Sequence, residues 1–199
     1  MRKLFPLVGL LVISLGLSQV VYANQTIVFV RHGEKPHDDS GQLSCKGLNR
    51  SLALPEVLLN RYGKPDAIYA AAPKQQKLGS SLRAVQTIAP TATRLSQPIH
   101  QEYHAKQIDE MQHALLDKNY RDALIFVVWE HNNLTKIVQG IISQAGGDPT
   151  IVPKWKGSDF DSIYIVHIDR DDHDKITATF EQAQEGLNDV SDQCGVAKR

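Results

Sequence analysis

Two uninterrupted runs, at residues 26–30 and 123–129, constrain the fold of this 199-residue chain more than any other feature. Both runs consist of apolar and β-branched residues, without the polar alternation of a half-exposed strand. Runs of this kind are typical of strands buried on both faces, which belong to parallel sheets with helices on either side. The two runs therefore predict inner strands of an α/β sheet.

Apolar residues at helical spacing predict three helices, over residues 47–62, 81–95 and 134–145. The first of these segments contains Pro55 and the second contains Pro90. Because proline removes a backbone hydrogen bond from a helix interior, we expect a kink or break at Pro55 and an interruption at Pro90.

The remaining strand signals complete an alternating pattern. A short strand is predicted over residues 67–72, and a hairpin over residues 162–169 and 175–182, which are joined by a polar turn. Strands that alternate with helices favour right-handed crossovers and a parallel sheet. We expect a single three-layer α/β/α domain with a mainly parallel sheet and at least one antiparallel edge strand.

The N-terminal stretch has the layout of a secretory signal peptide. Arg2 and Lys3 give a positive start, residues 4–17 are strongly apolar, and small residues precede a cleavage position after Ala23. The apolar run is short for a membrane span of about 20 residues and is broken by proline and glycine, which disfavours an uncleaved anchor. We expect residues 1–23 to be removed, leaving residues 24–199 as a periplasmic or secreted protein without stable membrane insertion.

The two cysteines have two interpretations. Export to an oxidising compartment would permit a disulfide between Cys45 and Cys194, which are far apart in the sequence. The spacing alone does not say whether the two Cα atoms approach each other, so two unpaired thiols remain an alternative.

The charge balance excludes one class of partner. The chain has 22 Lys and Arg against 22 Asp and Glu, so its formal net charge is zero. A general nucleic-acid binder would carry a basic excess, and we expect no nucleic-acid partner. Bulk neutrality is still compatible with a positive pocket at one place on the surface.

Polar residues with catalytic potential follow both apolar runs directly. Arg31 and His32 come after the first run, and Glu130 and His131 come after the second. Ligands of open α/β sheets bind beyond the carboxyl ends of the strands. A planar guanidinium beside an imidazole at that edge suits a phosphate or carboxylate ligand.

Five short motifs share the chain with these residues. They are VRHGE at 30–34, LSCKGLNR at 43–50, DAIYAA at 66–71, SLRAVQT at 81–87 and WEH at 129–131. As an ordered set they resemble the histidine phosphatase superfamily, which has the phosphoglycerate mutase-like fold. The resemblance covers residues 26–140 and is specific because of the order of its motifs.

The resemblance implies a role for four residues. His32 would be the nucleophile that becomes phosphohistidine, and an imidazole suits this because its usual pKa near 6.5 leaves it largely neutral around pH 7. Arg31 and Arg83 would grip the phosphate oxygens, and His131 would face the same group. Phosphoryl transfer depends on positioning and charge stabilisation, which these side chains could supply without a metal or other cofactor.

The proton donor to the leaving group is less clearly marked. A carboxylic acid with a raised pKa is the usual donor. Glu130 is our first candidate, followed by Glu102 and then Glu110. Glu34 is expected at the rim of the pocket or in a structural role, and Asn132 is expected among the substrate-binding residues.

These observations predict an exported phosphatase that hydrolyses a small phosphomonoester through a phosphohistidine on His32. The alternatives are a non-catalytic module that binds phosphate or phosphoglycan, and a phosphotransferase of the phosphoglycerate mutase type. A metal-dependent hydrolase is a further alternative, because His100 and His104 have the i,i+4 spacing of helical metal ligands. The oligomeric state stays open.

Overall fold

A computed structural model of the protein describes residues 23–38, 40–76 and 78–195. The predicted signal peptide therefore lies outside the described residues, apart from Ala23. The strands are β1 Ala23–Arg31, β2 Ala67–Ala70, β3 Lys74–Gln76, β4 Gly79–Ser81, β5 Leu124–Trp129, β6 Ser162–Arg170 and β7 Ile176–Gln184. The α-helices are α1 Cys45–Tyr62, α2 Arg83–Leu95, α3 Ile108–Leu115 and α4 His131–Gln144. None of the helices within these described ranges is both long and apolar enough to cross a membrane.

A five-stranded sheet in the order β2-β5-β1-β6-β7 forms the centre of the fold. Strand β5 pairs in parallel with both β1 and β2, whereas β6 is antiparallel to β1 and to β7. Four of the five strands thus share one direction and only β6 is reversed. The mainly parallel sheet and the antiparallel hairpin at its edge are confirmed.

The two apolar runs lie side by side in the middle of this sheet. Residues 27–30 of β1 and 125–129 of β5 are at most 1% exposed. Burial on both faces requires a helical layer on each side of the sheet. Helix α1 packs on α2, which contacts β2 and β5, while α3 packs on α4, which contacts β1 and β7. The result is the expected three-layer α/β/α arrangement.

Neither proline divides its helix. Pro55 lies inside α1 and Pro90 inside α2, and both helices continue through them. A break at Pro55 and the interruption at Pro90 are therefore wrong, and the alternative of a kink at Pro55 stays a prediction. Packing against the rest of the protein compensates for the lost hydrogen bond, and Pro55 is buried on the inner face of α1.

Helix α4 begins earlier than predicted. It starts at His131 with Glu130 as its N-cap, three residues before the predicted start at residue 134. The polar residues at this end hid the helix start, because the periodic apolar pattern begins only at Leu134. His131 is consequently the first helical residue and not part of a loop.

A disulfide ties the C-terminal tail to the start of α1. Cys45 and Cys194 are bonded, with their Cα atoms 4.7 Å apart. One turn further along α1, the side-chain Nδ2 of Asn49 donates hydrogen bonds to the backbone carbonyls of Ser191 and Gln193 at 2.8 and 2.9 Å. Of the two interpretations of the cysteines, the structure contains the bridged one.

We expect loss of this disulfide to destabilise the protein. The double variant Cys45→Ser, Cys194→Ser should lower the free energy of unfolding by about 3–5 kcal/mol, because the bridge restricts a long loop in the unfolded chain. Urea unfolding followed by circular dichroism measures the change. Reduction of the unmodified protein should shift the midpoint to that of the variant, and an unchanged midpoint in both would contradict the prediction.

Candidate active site

The parallel pairing of β1 with β5 brings the two predicted catalytic segments together. Arg31 is paired with Trp129 at the ends of the two strands. One residue further, the His32 amide donates to the Trp129 carbonyl at 3.1 Å. His32 is therefore a neighbour of Glu130 and His131 at the carboxyl edge of the sheet, where open α/β sheets bind their ligands.

The ring of His32 is held in one orientation. It is 8% exposed, and its Nδ1 lies 2.9 Å from the Gly33 carbonyl oxygen. Since a carbonyl can only accept a hydrogen bond, Nδ1 must carry the proton. In the neutral ring the lone pair is then on Nε2, which is the nitrogen left for nucleophilic attack.

The surroundings of His32 favour its neutral form. Burial, with a smaller contribution from the positive charges of Arg31 and Arg83, lowers the pKa of this imidazole from 6.5 to about 4, although the hydrogen bond to Gly33 opposes the shift. A neutral imidazole at physiological pH retains its lone pair. The site thus holds a histidine in the state that a nucleophile requires.

Arg83 reaches the same site through a fully buried threonine. The Gly33 amide donates to Thr87 Oγ1 at 2.9 Å, and that hydroxyl donates to the Arg83 carbonyl at 2.7 Å. Thr87 therefore bridges the loop that carries His32 and the first turn of α2. Arg83 and Thr87 are one helical turn apart, and this spacing in the SLRAVQT motif allows the contact.

A cavity of about 400 Å³ opens in front of His32. It contains four of the predicted site residues, which are His32, Arg83, Glu130 and Asn132. The other lining residues are Ala71, Ala72, Lys74, Ser81, Ala84, Ala105, Lys106 and Asn133. The cavity is large enough for a small organic ligand.

Arg31 is buried beside this cavity and does not line it. Its Nη1 donates to the carbonyls of Gly157 and Asp159 at 2.8 and 2.7 Å, and its guanidinium carbon lies 3.8 Å above the centre of the Phe160 ring. Burial lowers its pKa to about 10, so it stays charged at neutral pH. These two hydrogen bonds hold the loop before β6. Part of the hydrogen-bonding capacity of Arg31 is therefore not available for the direct phosphate contact that was expected of it.

His131 lines an adjacent depression together with Asn132 and with residues 154–158. Its Nδ1 is 2.8 Å from Oε1 of Glu130, although that nitrogen has no partner in hydrogen-bond geometry. Burial lowers the pKa of His131, and the charge of Arg31 adds to this effect. Asn132 lines both this depression and the cavity in front of His32, so the adjacent residue His131 lies near that cavity.

Glu130 does not have the properties expected of a proton donor. Its two carboxylate oxygens accept hydrogen bonds from the amides of Asn132 and Asn133, each at 3.0 Å. Burial raises the pKa of Glu130, but these donors and the neighbouring His131 outweigh it and hold the pKa below its usual value. Glu130 is an ionised N-cap of α4, whereas a general acid needs a raised pKa.

The other two candidate acids lie outside the cavity. Glu102 is exposed and faces His100 Nδ1 at 3.1 Å, and Glu110 accepts from Gln107 Nε2 at 3.3 Å. The segment that contains His100 and His104 is not helical, so the i,i+4 geometry expected of a helical metal pair is absent. The described part of the chain contains no group of three His, Cys, Asp or Glu side chains placed to hold a metal ion.

A buried ion cluster supports the loop after His32. Arg50 is fully buried and donates from Nε and Nη2 to both oxygens of Glu34, at 3.0 and 2.8 Å. Its Nη1 donates to Asp161 Oδ1 at 3.0 Å and to Glu185 Oε2 at 2.6 Å. Glu34 is thus a structural partner of Arg50, which agrees with one of its two expected roles.

Three carboxylates around one guanidinium leave an excess of negative charge. Burial raises the pKa of Glu185 to about 8, although Arg50 opposes this, so the unfavourable charge falls mainly on Glu185. Asp161 also accepts from the amides of Gly186 and Leu187 at 3.1 and 2.7 Å. The cluster therefore joins the loop after His32 to α1, to the start of β6 and to the segment after β7.

The loop after His32 also depends on a glycine in α1. A Cβ atom at Gly47 would lie 2.3 Å from the Glu34 carbonyl oxygen and 2.8 Å from the Glu34 amide nitrogen. Only glycine permits this approach. The Gly47 and Arg50 positions of the LSCKGLNR motif consequently serve the same purpose, which is to seat residues 33–34 on the first turns of α1.

Comparison with known proteins shows which fold this is. The sequence matches no protein-family model and no curated protein sequence. A Nakamurella multipartitia protein assigned as phosphohistidine phosphatase SixA matches in structure with a TM-score of 0.56 at 15% identity, over 79% of this chain and 94% of that chain. Its Agrobacterium tumefaciens counterpart matches with a TM-score of 0.51 at 10% identity, over 79% and 97% of the two chains.

A third solved structure has a different substrate in its name. A mycobacterial glucosyl-3-phosphoglycerate phosphatase matches with a TM-score of 0.51 at 14% identity, over 79% of this chain and 97% of that chain. The expected phosphoglycerate mutase-like fold, the fold of histidine phosphatases, is confirmed by these three structures.

We expect His32 to titrate far below an ordinary histidine. Its Hε1 resonance, assigned by comparison with His32→Gln, should move with a midpoint near pH 4, because burial penalises the charged ring. Between pH 6.5 and 4, His32 is protonated in the unfolded chain but neutral in the folded protein. The free energy of unfolding should therefore fall as the pH decreases through this range. A midpoint at or above 6.5 would contradict the account of this site.

Proposed function

We propose that this protein is a phosphatase that hydrolyses a phosphomonoester through a covalent phosphohistidine on His32. One observation carries the proposal. His32 is a neutral, oriented imidazole whose lone pair is on Nε2, and it lines a cavity that also contains Arg83. A nucleophile and a fixed positive charge at one end of a cavity are the parts that phosphoryl transfer needs most.

In the first step Nε2 of His32 attacks the phosphorus atom, and the bond from phosphorus to the leaving oxygen breaks. The ring becomes positively charged, and the hydrogen bond from Nδ1 to the Gly33 carbonyl becomes stronger as this charge develops. In the second step water attacks the same phosphorus atom and the P–N bond breaks. Inorganic phosphate leaves and His32 returns to its neutral form.

Arg83 balances the charge of the phosphoryl oxygens from the cavity wall. Arg31 acts from behind His32, as a buried positive charge that also fixes the loop at residues 157–159. His131 and Asn132, at the start of α4, complete the polar end of the site. The structural observations support these roles through position and charge.

The leaving group receives no proton from Glu130 in this proposal. Glu130 is the only carboxylate among the described residues that line the cavity, and its hydrogen bonds keep it ionised. Its role is to cap α4, the helix that begins at His131. The leaving oxygen therefore departs as a stable anion or takes its proton from solvent.

Hydrolysis is preferred over phosphotransfer of the phosphoglycerate mutase type. The three solved structures compared above are named for phosphatases, two for phosphohistidine and one for glucosyl-3-phosphoglycerate. A mutase would need a phosphorylated cofactor that an exported protein rarely meets. Export itself is supported by the N-terminal sequence and by the Cys45–Cys194 bridge, since disulfides persist in oxidising compartments. We therefore place the activity in the periplasm or outside the cell.

The proposed activity can be tested with para-nitrophenyl phosphate, whose leaving group needs no proton. We expect turnover that persists in EDTA and that falls by at least about 10³-fold in His32→Ala, because the nucleophile is lost. His173→Ala is the matched control, because His173 is exposed in the β6–β7 turn at the opposite edge of the sheet.

Other outcomes would overturn the proposal in distinguishable ways. Turnover that EDTA abolishes would indicate a metal-dependent hydrolase. Phosphate binding in calorimetry without any turnover would indicate the binding module. Turnover that survives in His32→Ala would remove the central residue of the mechanism.

The role of Glu130 needs a substrate with a poor leaving group, such as glycerol 3-phosphate. We expect Glu130→Gln to lower kcat/KM by less than tenfold on both this ester and para-nitrophenyl phosphate, whereas loss of a general acid costs about 10²–10⁴-fold. Glu110→Gln, on an exposed residue of α3, is the control for the loss of one negative charge. A loss above 100-fold on the alkyl ester alone would restore Glu130 as the acid.

A further inference from the structure

We propose that Lys74 and Lys106 form a second anion-binding subsite, so that the substrate carries a second acidic group besides the scissile phosphate. This inference rests on the proposed phosphatase function and specifies its substrate class. Both lysines line the same cavity as His32 and Arg83. Lys74 is the first residue of β3, and Lys106 precedes α3, so two separate elements supply the two ammonium groups.

A second cavity continues from the first beyond the lysines. It has a volume of about 480 Å³, and Lys74, Ala105 and Lys106 line both cavities. The lysines therefore lie at the junction between an inner chamber, which contains His32, and an outer chamber. A molecule that places its phosphate at His32 and extends toward the second cavity therefore comes close to both ammonium groups.

The charges of this cavity are unbalanced. Within the parts of the chain that the structure describes, neither lysine has a carboxylate within ion-pair distance. Apart from Arg83, the cavity is lined by the two ammonium groups of Lys74 and Lys106 and by one carboxylate, Glu130, whose oxygens already accept hydrogen bonds from α4. Because the whole chain has no net charge, this positive surplus is a property of the site.

Four alanines make part of the cavity lining apolar. Ala71, Ala72, Ala84 and Ala105 contribute methyl groups and no hydrogen-bonding side chain. Such a lining fits a carbon skeleton with few hydroxyl groups. The substrate class that matches all three features is a phosphate ester whose second acidic group, a carboxylate or a phosphate, is separated from the first by an apolar spacer.

Lys74 lies on a short hairpin at one side of the cavity. Strands β3 and β4 form a small antiparallel sheet of their own, inserted between β2 and α2. Ser81, at the end of β4, lines the cavity as well. The hairpin therefore adds one wall to the site, and Lys74 is the cation on that wall.

The experiment compares 4-carboxyphenyl phosphate with phenyl phosphate, which share the scissile bond and differ in one carboxylate. The measured quantity is kcat/KM for 4-carboxyphenyl phosphate divided by kcat/KM for phenyl phosphate. We expect Lys74→Gln and Lys106→Gln each to lower this ratio by about two- to fivefold, the size of an exposed charge contact. The double variant should lower the ratio further, and added salt should lower it in the unmodified protein. Lys64→Gln, at the opposite edge of the sheet, should leave the ratio unchanged.

A ratio that is insensitive to both lysine variants would overturn the second subsite, while continued hydrolysis of phenyl phosphate would leave the proposed function intact. Should neither ester be hydrolysed, the proposed function fails, and calorimetry with the non-hydrolysable phosphonates still decides the subsite. 4-Carboxybenzenephosphonate and 1,4-benzenediphosphonate should then bind more tightly than benzenephosphonate, and only while both lysines are present. Equal affinity of all three phosphonates would overturn it.

Discussion

The parallel pairing of β1 with β5 is the constraint on which the rest of this structure depends. Its register places Arg31 opposite Trp129, so the two strands end side by side. The next residue of each segment, His32 and Glu130, therefore lies at neighbouring positions. Both strands are buried on both faces, and a slip of one residue would exchange the side chains packed on each face. Apolar packing in the middle of the sheet therefore sets the distance between polar groups at its edge.

A second constraint, the Arg50 cluster, supports the loop after His32 from below. A buried guanidinium is costly to desolvate, and it contributes to stability only where its partners satisfy it completely. Here Glu34, Asp161 and Glu185 accept four of its hydrogen bonds and Asn188 Oδ1 accepts the fifth. The three carboxylates come from three separate segments of the chain. The disulfide at the start of α1 holds the C-terminal tail next to this cluster. The nucleophile thus lies on a loop that the fold fixes from several directions.

The elements predicted correctly are those whose signal is local and apolar. Runs such as 123–129 need no partner to be recognised as buried strands. The start of α4 could not be predicted in this way, because Glu130 caps the helix with its side chain and no apolar periodicity marks the cap. The β3–β4 hairpin was missed because its residues, KQQ and GSS, carry no apolar alternation.

The candidate site shows the same division. His32 and Arg83 could be placed in one pocket from the order of the motifs, and the cavity contains both. The role of Arg31 in holding the loop at residues 157–159 could not be predicted, because its partners Gly157 and Asp159 are distant in the sequence. The role of Arg50 could not be predicted either, because Arg50 is buried in α1 whereas Leu48 and Leu52 are exposed. The ionised state of Glu130 follows from helix-capping geometry, which a motif does not contain.

The central claim is that the phosphoryl group passes through His32, and a rapid-quench experiment tests it most directly. The protein is mixed with excess para-nitrophenyl phosphate, quenched in base within the first turnover, and mapped by peptide mass spectrometry. A phosphoryl group on His32, absent in the His32→Ala protein, is the result expected from a neutral imidazole with its lone pair on Nε2. A phosphoryl group on His131 instead, or turnover with no phosphorylated histidine at any time point, would contradict the account.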